Sequence, residues 1–404
     1  MSIDTQVEAA VPAIPLARWA SRQLAALARR TGSAGLAALD GPTLLGERGS
    51  NGDYVINGRV SAGLGGSRLL PTRDDRWFAL TLIREMDREL LPALFSDPDL
   101  DIHDAKAIAE AVLQHDAGEL LERGRALGLP VASVDETPQV PAIEIMAQGP
   151  HRSRQFDHRP LVVDLSAIWA GPLIGHLLWQ AGMEVVKVES LTRPDLIRHD
   201  DPATFDLINQ GKANALLDFG DQAHKRELTA LIRRADVVIE SSRPRALRHL
   251  GIDADALVRE VPGLVWISVT GHGATGDAAN WVGIGNDCAV AGGIARALAD
   301  ATGQVGFVGD AIADPLTGIT GAREAIRAYE SGTAQRIGLS MSAIVAMALA
   351  EERAFDALLL ERELRDWSAA TGKPFPRVRR RPLEGEVAPR GADTLRYFPA
   401  LAPC

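Results

Sequence analysis

The stretch VVDLSAIWAGPLIGHLLWQAGMEVVKVES, residues 162–190, constrains the fold more than any other part of the chain. It opens on an apolar run, passes through a short turn into a helix-like segment, and returns to a second apolar run. Pro172 stands near the first helical position and Gly182 past the last, the usual asymmetry of helix ends. The pattern repeats downstream. ANALLDF, DVVIES and GLVWISV read as strands, with QAHKRELTALIRRA, RPRALRHLG and DADALVREV as helices between them. Strands alternating with helices specify βαβ units and a mostly parallel sheet, and strands this apolar are covered on both faces. The fold class is α/β: a Rossmann-like open parallel sheet with helices on both faces, accompanied by a smaller α+β domain.

That smaller domain is expected at 41–150, after an N-terminal helical arm at 1–40. Residues 41–75, rich in Gly, Arg, Ser and Asn, read as loops and short strands. RWFALTLI (76–83) and LPVASV (129–134) are strand candidates. EMDRELLPALF and AKAIAEAVLQHDAGELLERGRALG are helical, the latter broken near Asp116. Residues 135–160 are polar and read as a linker, so the Rossmann-like domain is drawn at 151–340. Long helices and a Pro/Arg-rich tail, expected to form loops or an arm over a neighbour, complete the chain at 341–404.

The 404 residues carry a net charge of −10, with 43 basic against 53 acidic residues, which argues against nucleic acid as a partner. No apolar run approaches the ~20 residues that span a bilayer, and MSIDTQVEAAVPAIP lacks a signal pattern. The two cysteines, Cys288 and Cys404, do not suggest a disulfide scaffold. A cytoplasmic protein without a membrane partner is expected.

Ligands of open parallel sheets bind beyond the carboxyl ends of the strands. Ile168, Trp169, Ala170 and Gly171 follow the first strand; Ser241, Ser242, Arg243 and Arg248 follow DVVIE; Thr270 and Gly271 follow GLVWISV; Lys212 sits in the loop INQGKAN. The helix led by Pro172 offers free backbone N–H groups. With Lys212, Arg243, Arg245 and Arg248 it suits a ligand bearing several phosphates. The turn has no GxGxxG fingerprint, which disfavours NAD or FAD and an oxidoreductase. No metal is expected.

These residues resemble the opening of the family III coenzyme A transferases, the CaiB/BaiF superfamily of carnitine and formyl-CoA transferases and α-methylacyl-CoA racemase, whose pattern is roughly VLDLSxxxAGPxxxxxLAxLGAxVIKVE. FDLINQGKANALLDF is similar to the family's NRGKRSxxLDL, ADVVIESSRPRALRHLGID to ADVxIENFRPGxLxxLGL, and PGLVWISVTGHGATGDAANW to PxLIxxSISGFGxxGP. The likeness runs over residues 160–350. Segments 69–94 and 120–136 resemble parts that come late in the family, YPTxDGWxxLAL and GVPAAPV, so the order looks circularly permuted.

The resemblance implies a CoA transferase that moves coenzyme A from an acyl-CoA to a carboxylic acid. An aspartate attacks the thioester, and the mixed anhydride becomes an aspartyl-CoA thioester; this is covalent catalysis. It implies acyl-CoA and an acid as partners, coenzyme A as the carrier, and a homodimer or hetero-oligomer. The family's TGxxDGPP turn, which holds that aspartate, is not intact here. The nearest acids are Asp300, in DATG, and Asp287, in GND, ranked in that order. Lys212 matches the family lysine and Arg243 its FRPG arginine. His249, beside Arg248, stands where the family has another arginine. Ser190 replaces a third, and Trp169 occupies the polar position before AGP. Two further readings stay open: a catalytically degenerate CoA-binding subunit of a hetero-oligomeric transferase, and an acyl-CoA racemase or isomerase. The last is disfavoured by Asn286 where a histidine base would stand.

Overall fold

The computed structural model describes residues 11–63, 66–153, 159–242 and 244–402. Among these the main sheet has seven strands: β4 (Ile143–His151), β5 (Leu161–Asp164), β6 (Glu184–Ser190), β7 (Ala213–Leu217), β8 (Val237–Glu240), β9 (Val265–Thr270) and β10 (Thr333–Ser340). A second sheet is built from β1 (Ser67–Pro71), β2 (Trp77–Thr81) and β3 (Val131–Ser133). The order of the main sheet is β4-β10-β9-β8-β5-β6-β7. All its pairings are parallel except β10 with β4. The expected Rossmann-like sheet is therefore present, with one antiparallel edge.

The hydrophobic runs fold this way because neighbouring residues in a strand face opposite layers. Val237, Ile239, Val265 and Ile267 join one core with Leu173, Leu177, Leu316 and Ile319 of the helices Ala170–Gln180 and Ala313–Ser331. Val238 and Trp266 join the other with Leu228, Leu231 and Leu257 of the helices Gln222–Ile232 and Ala254–Glu260. Each such side chain contributes about 1.5–3 kcal/mol on full burial.

Strand order reverses between β5 and β8, since β6 and β7 lie to one side and β9 and β10 to the other. The loops after β5 and β8 diverge there and open a crevice.

Two expectations are corrected. Residues 41–51 form a helix, Gly41–Asn51, rather than loops. Asp40 caps it by accepting from Thr43 N–H, Pro42 fits its first turn, and Leu44 and Leu45 are buried. Its glycines serve packing: a Cβ at Gly49 would meet the Phe375 ring at 2.6 Å. The polar segment 135–160 is no plain linker, because it contains the edge strand β4. The tail crosses its own chain: Phe375 N–H donates to Tyr54 O, Gly211 N–H to Glu386 O, and Asp393 N–H to Asn214 O.

The small antiparallel sheet puts Phe78 and Leu80 against its own helices, through Leu91, Leu94 and Ile108. Its other face, with Leu69 and Ala79, packs on Val290, Ala291 and Ala295. That contact carries the chain after β2 to the mouth of the crevice.

Candidate active site

The turn after β5 does without the three glycines of a dinucleotide loop. Buried ions hold it instead. Asp164 accepts from Ser166 N–H at 3.0 Å, and Lys187 Nζ donates to Ser166 O at 2.8 Å while pairing with Asp195 at 3.0 Å. Ile168 is forced to φ +70°, a region a β-branched residue rarely enters. Strain of this kind gathers at functional sites.

The crevice is a cavity of about 480 Å³. Its walls are the loop after β5 (Ala167, Ile168, Ala170, Gly171), the loop after β8 (Ser241, Ser242), Thr270 and Gly271 after β9, and 281–284. Ile83 and Arg84 close it from the small sheet, and Arg193 and Leu196 from the loop after β6. Arg84 and Arg193 are its cations among the described residues; Arg84 is tied to Asp87 at 2.6 Å. Trp281, also in the lining, lies under the Arg125 guanidinium at 3.8 Å.

Asp314 lines this cavity, and among the described lining residues it is the carboxylate. It begins the helix Ala313–Ser331 and accepts from Ala170 N–H at 3.2 Å. Ala311, just before it, is held at φ +46°. Gly285 gives the carboxylate room, since a Cβ there would lie 2.0 Å from Asp314 Oδ2. Burial raises Asp314 from its ordinary 3.8 to about 7, against the pull of the Arg48 guanidinium.

Behind Asp314 lies a second chamber of about 90 Å³. Ile83, Ile168, Leu196, Ile284 and Asp314 belong to both cavities. Trp169 and Arg48 line the inner one. Arg48, from the helix Gly41–Asn51, is held by Asp201 at 3.1 Å and Asp310 at 3.4 Å. Its guanidinium sits 5.4 Å from the Trp169 ring.

The sequence expectations divide clearly. Ile168, Ala170, Gly171, Ser241, Ser242, Thr270 and Gly271 line the cleft, and Trp169 lines the chamber behind it. Lys212 does not: its ammonium is buried and donates to Asp164 at 2.8 Å, Pro172 O at 2.7 Å and Asn209 at 3.0 Å. All three N–H bonds are engaged inside the protein, so Lys212 fastens the helix Ala170–Gln180 to the sheet. Arg248 lines a different hollow, beside Met146 and Asp255, and His249 is exposed on the same short helix. Arg243 lies outside the described residues. Asp300 projects to solvent from the helix Ile294–Thr302, paired with Arg296 at 2.8 Å. Asp287 is fully buried; it accepts from Ile284 N–H at 3.1 Å and lies 3.8 Å from His272 Nε2. Neither acid lines the cleft. The sequence reading passed over Asp314 and Arg48. A signal for Asp314 was present in DPLTG, an acid at the head of a helix with no basic neighbour in sequence.

CoA-transferase family III, as a family pattern, matches residues 160–372, more than half of the chain. The chain belongs to CoA-transferase family III. A succinate–glutarate CoA-transferase of Agrobacterium fabrum is 30% identical to it over 47% of this chain and 52% of that one. An acetyl-CoA:oxalate CoA-transferase of Acetobacter aceti is 28% identical over 54% of this chain and 56% of the relative. This family III chain thus spans about half the length of the curated relatives it matches. Among solved structures, a CaiB/BaiF family protein from Brucella suis is 29% identical, with a TM-score of 0.44, covering 49% of this chain and 57% of that one. Among the described residues no helix is long and apolar enough to cross a membrane.

Proposed function

We propose that the chain moves coenzyme A from an acyl-CoA to a carboxylic acid through an aspartyl-CoA thioester formed on Asp314. One observation carries this reading: Asp314 is the carboxylate in the wall of the switch-point cleft, and it stands where the outer cavity meets the inner chamber. The outer cavity takes the pantetheine arm, and Arg84 and Arg193 meet the phosphates at its rim. Ionised Asp314 attacks the thioester carbonyl; the C–S bond breaks and thiolate leaves, giving a mixed anhydride. The thiolate then attacks the aspartyl carbonyl, which releases the first acid as its carboxylate. The acceptor carboxylate repeats these steps in reverse and leaves as the new thioester. Each hard exchange is thereby split into two easier ones.

Label exchange between an acyl-CoA and its free acid tests the proposal. Asp314→Asn removes the attacking oxygen and is expected to lower exchange by about a thousandfold or more, with loss of the enzyme thioester that hydroxylamine traps in the parent. Exchange at parental rate in Asp314→Asn rejects the assignment. The close burial of Asp314, 5% exposed, favours one second reading: a subunit that binds CoA without turning it over. Calorimetric binding of CoA without exchange supports that reading instead.

A further inference from the structure

The inner chamber is too small and too acidic to be a general acyl pocket. Its volume of about 90 Å³ matches roughly three groups the size of a water molecule. Its mouth is apolar, formed by Ile83, Ile168, Leu196 and Ile284, with Trp169 as a further wall. Its polar groups are already engaged with one another. Ser67 Oγ and Thr81 Oγ1 lie 2.9 Å apart, and Asn286 Oδ1 accepts from Ala311 N–H at 2.9 Å. Arg48, the cation in its lining, is held between Asp201 and Asp310. Asp200 and Asp201 also line it, and Asp314 belongs to both cavities. Among the described residues, the carboxyl groups in and behind the wall therefore outnumber the one guanidinium in the lining.

We infer that this chamber receives the acyl group of the thioester and selects a short, uncharged one of about two to four carbons, rejecting an acyl group that ends in a carboxylate. This rests on the transferase reading above, because the reacting carbonyl must sit at Asp314 for the acyl chain to point inward. The charge argument is local. A second carboxylate entering the chamber meets Asp200 and Asp201 in its lining, and the guanidinium it would need, Arg48, is already paired with Asp201 and Asp310. Burying it unpaired costs far more than leaving it in water. A longer chain has no room, and pocket limits of this kind discriminate by roughly 10–200-fold per methylene.

The test is identity exchange: each acyl-CoA is incubated with the ¹³C-labelled free acid of the same chain, so no unknown acceptor is needed. Acetyl-, propionyl-, butyryl-, octanoyl- and succinyl-CoA are compared by kcat/KM. The three short donors are expected within about tenfold of one another, with octanoyl- and succinyl-CoA each at least about a hundredfold below butyryl-CoA. Asp201→Asn keeps an acceptor for the Thr204 N–H that Asp201 caps at 3.1 Å and removes one charge beside Arg48. It is expected to raise the succinyl-to-butyryl ratio about tenfold. Succinyl- or octanoyl-CoA equal to butyryl-CoA, or a ratio unmoved by Asp201→Asn, overturns the chamber's selectivity and leaves the transferase reading standing. Absence of exchange with every donor rejects both.

Discussion

Asp314→Asn is also a stability experiment, and its sign can be worked out. The carboxyl rises from an ordinary 3.8 to about 7 in the folded chain, chiefly through burial. Between those values the folded state holds a proton that the unfolded state has lost. Its contribution is therefore fully present below 3.8 and is lost as pH rises through about 7. Relative to the fully protonated group, the raised carboxyl costs the native protein about 4 kcal/mol at about pH 8 and about 1.5–2 kcal/mol at about pH 5. The useful quantity is the change between the two: about 2–3 kcal/mol of stability lost by the parent and not by the variant. Asparagine keeps the acceptor for Ala170 N–H but adds a buried amide donor, an offset of about 1–3 kcal/mol. That offset is the same at both pH values and cancels in the comparison. Denaturant unfolding of both proteins at about pH 5 and about pH 8 measures it. A parent–variant difference that stays constant within about 0.5 kcal/mol across this range refutes the raised carboxyl and, with it, the account of why Asp314 is buried.

Exchange itself should climb with pH and level off above about 7, because attack needs the ionised carboxylate of Asp314. Arg48→Gln removes the cation that opposes this rise, so the midpoint of the pH–rate profile moves upward; an unmoved midpoint shows that Arg48 does not act on Asp314. Lys212→Met removes the ammonium paired with the fully buried Asp164, leaving it only the Ser166 donors and the more distant Lys187, and is expected to cost about 3–5 kcal/mol in denaturant unfolding. Full stability in that variant refutes the fastening role. Asp300→Ala breaks only an exposed pair with Arg296, so stability should change by less than about 1 kcal/mol and exchange should persist; lost exchange restores Asp300 as a candidate nucleophile.

The sheet was legible because its signal is local. An apolar run such as GLVWISV states its own burial, and the alternation with helices states the crossover. The cleft's glycines, serines and the turn before Pro172 followed from the rule that parallel sheets bind ligands at their carboxyl edge. Lys212 and Asp300 misled for opposite reasons. A lysine in a loop looks free, yet Asp164 and Pro172, 48 and 40 residues away, join its near neighbour Asn209 as acceptors around Lys212. Asp300 looked central by its distance along the chain from a familiar motif, and a helix turned it to solvent. Arg48 was hidden because its partners, Asp201 and Asp310, stand more than 150 residues away. The helix that carries it reads as a glycine-rich loop until Phe375 arrives to fill the grooves those glycines leave.

The tail has a consequence for how the site is held together. Arg381 grips Glu47 with two bonds of 2.6 Å and reaches His176 Nε2 at 2.8 Å. Burial and the nearby cations keep that imidazole neutral, able to accept. Glu47 neighbours Arg48 in sequence, and His176 lies in the helix that starts at the cleft. One arginine, 334 residues from Glu47 and 205 from His176, thus bolts the helix that carries Arg48 to the helix that starts at the cleft. The wall of the cleft and the cation behind it are held in register by a segment that lines neither cavity.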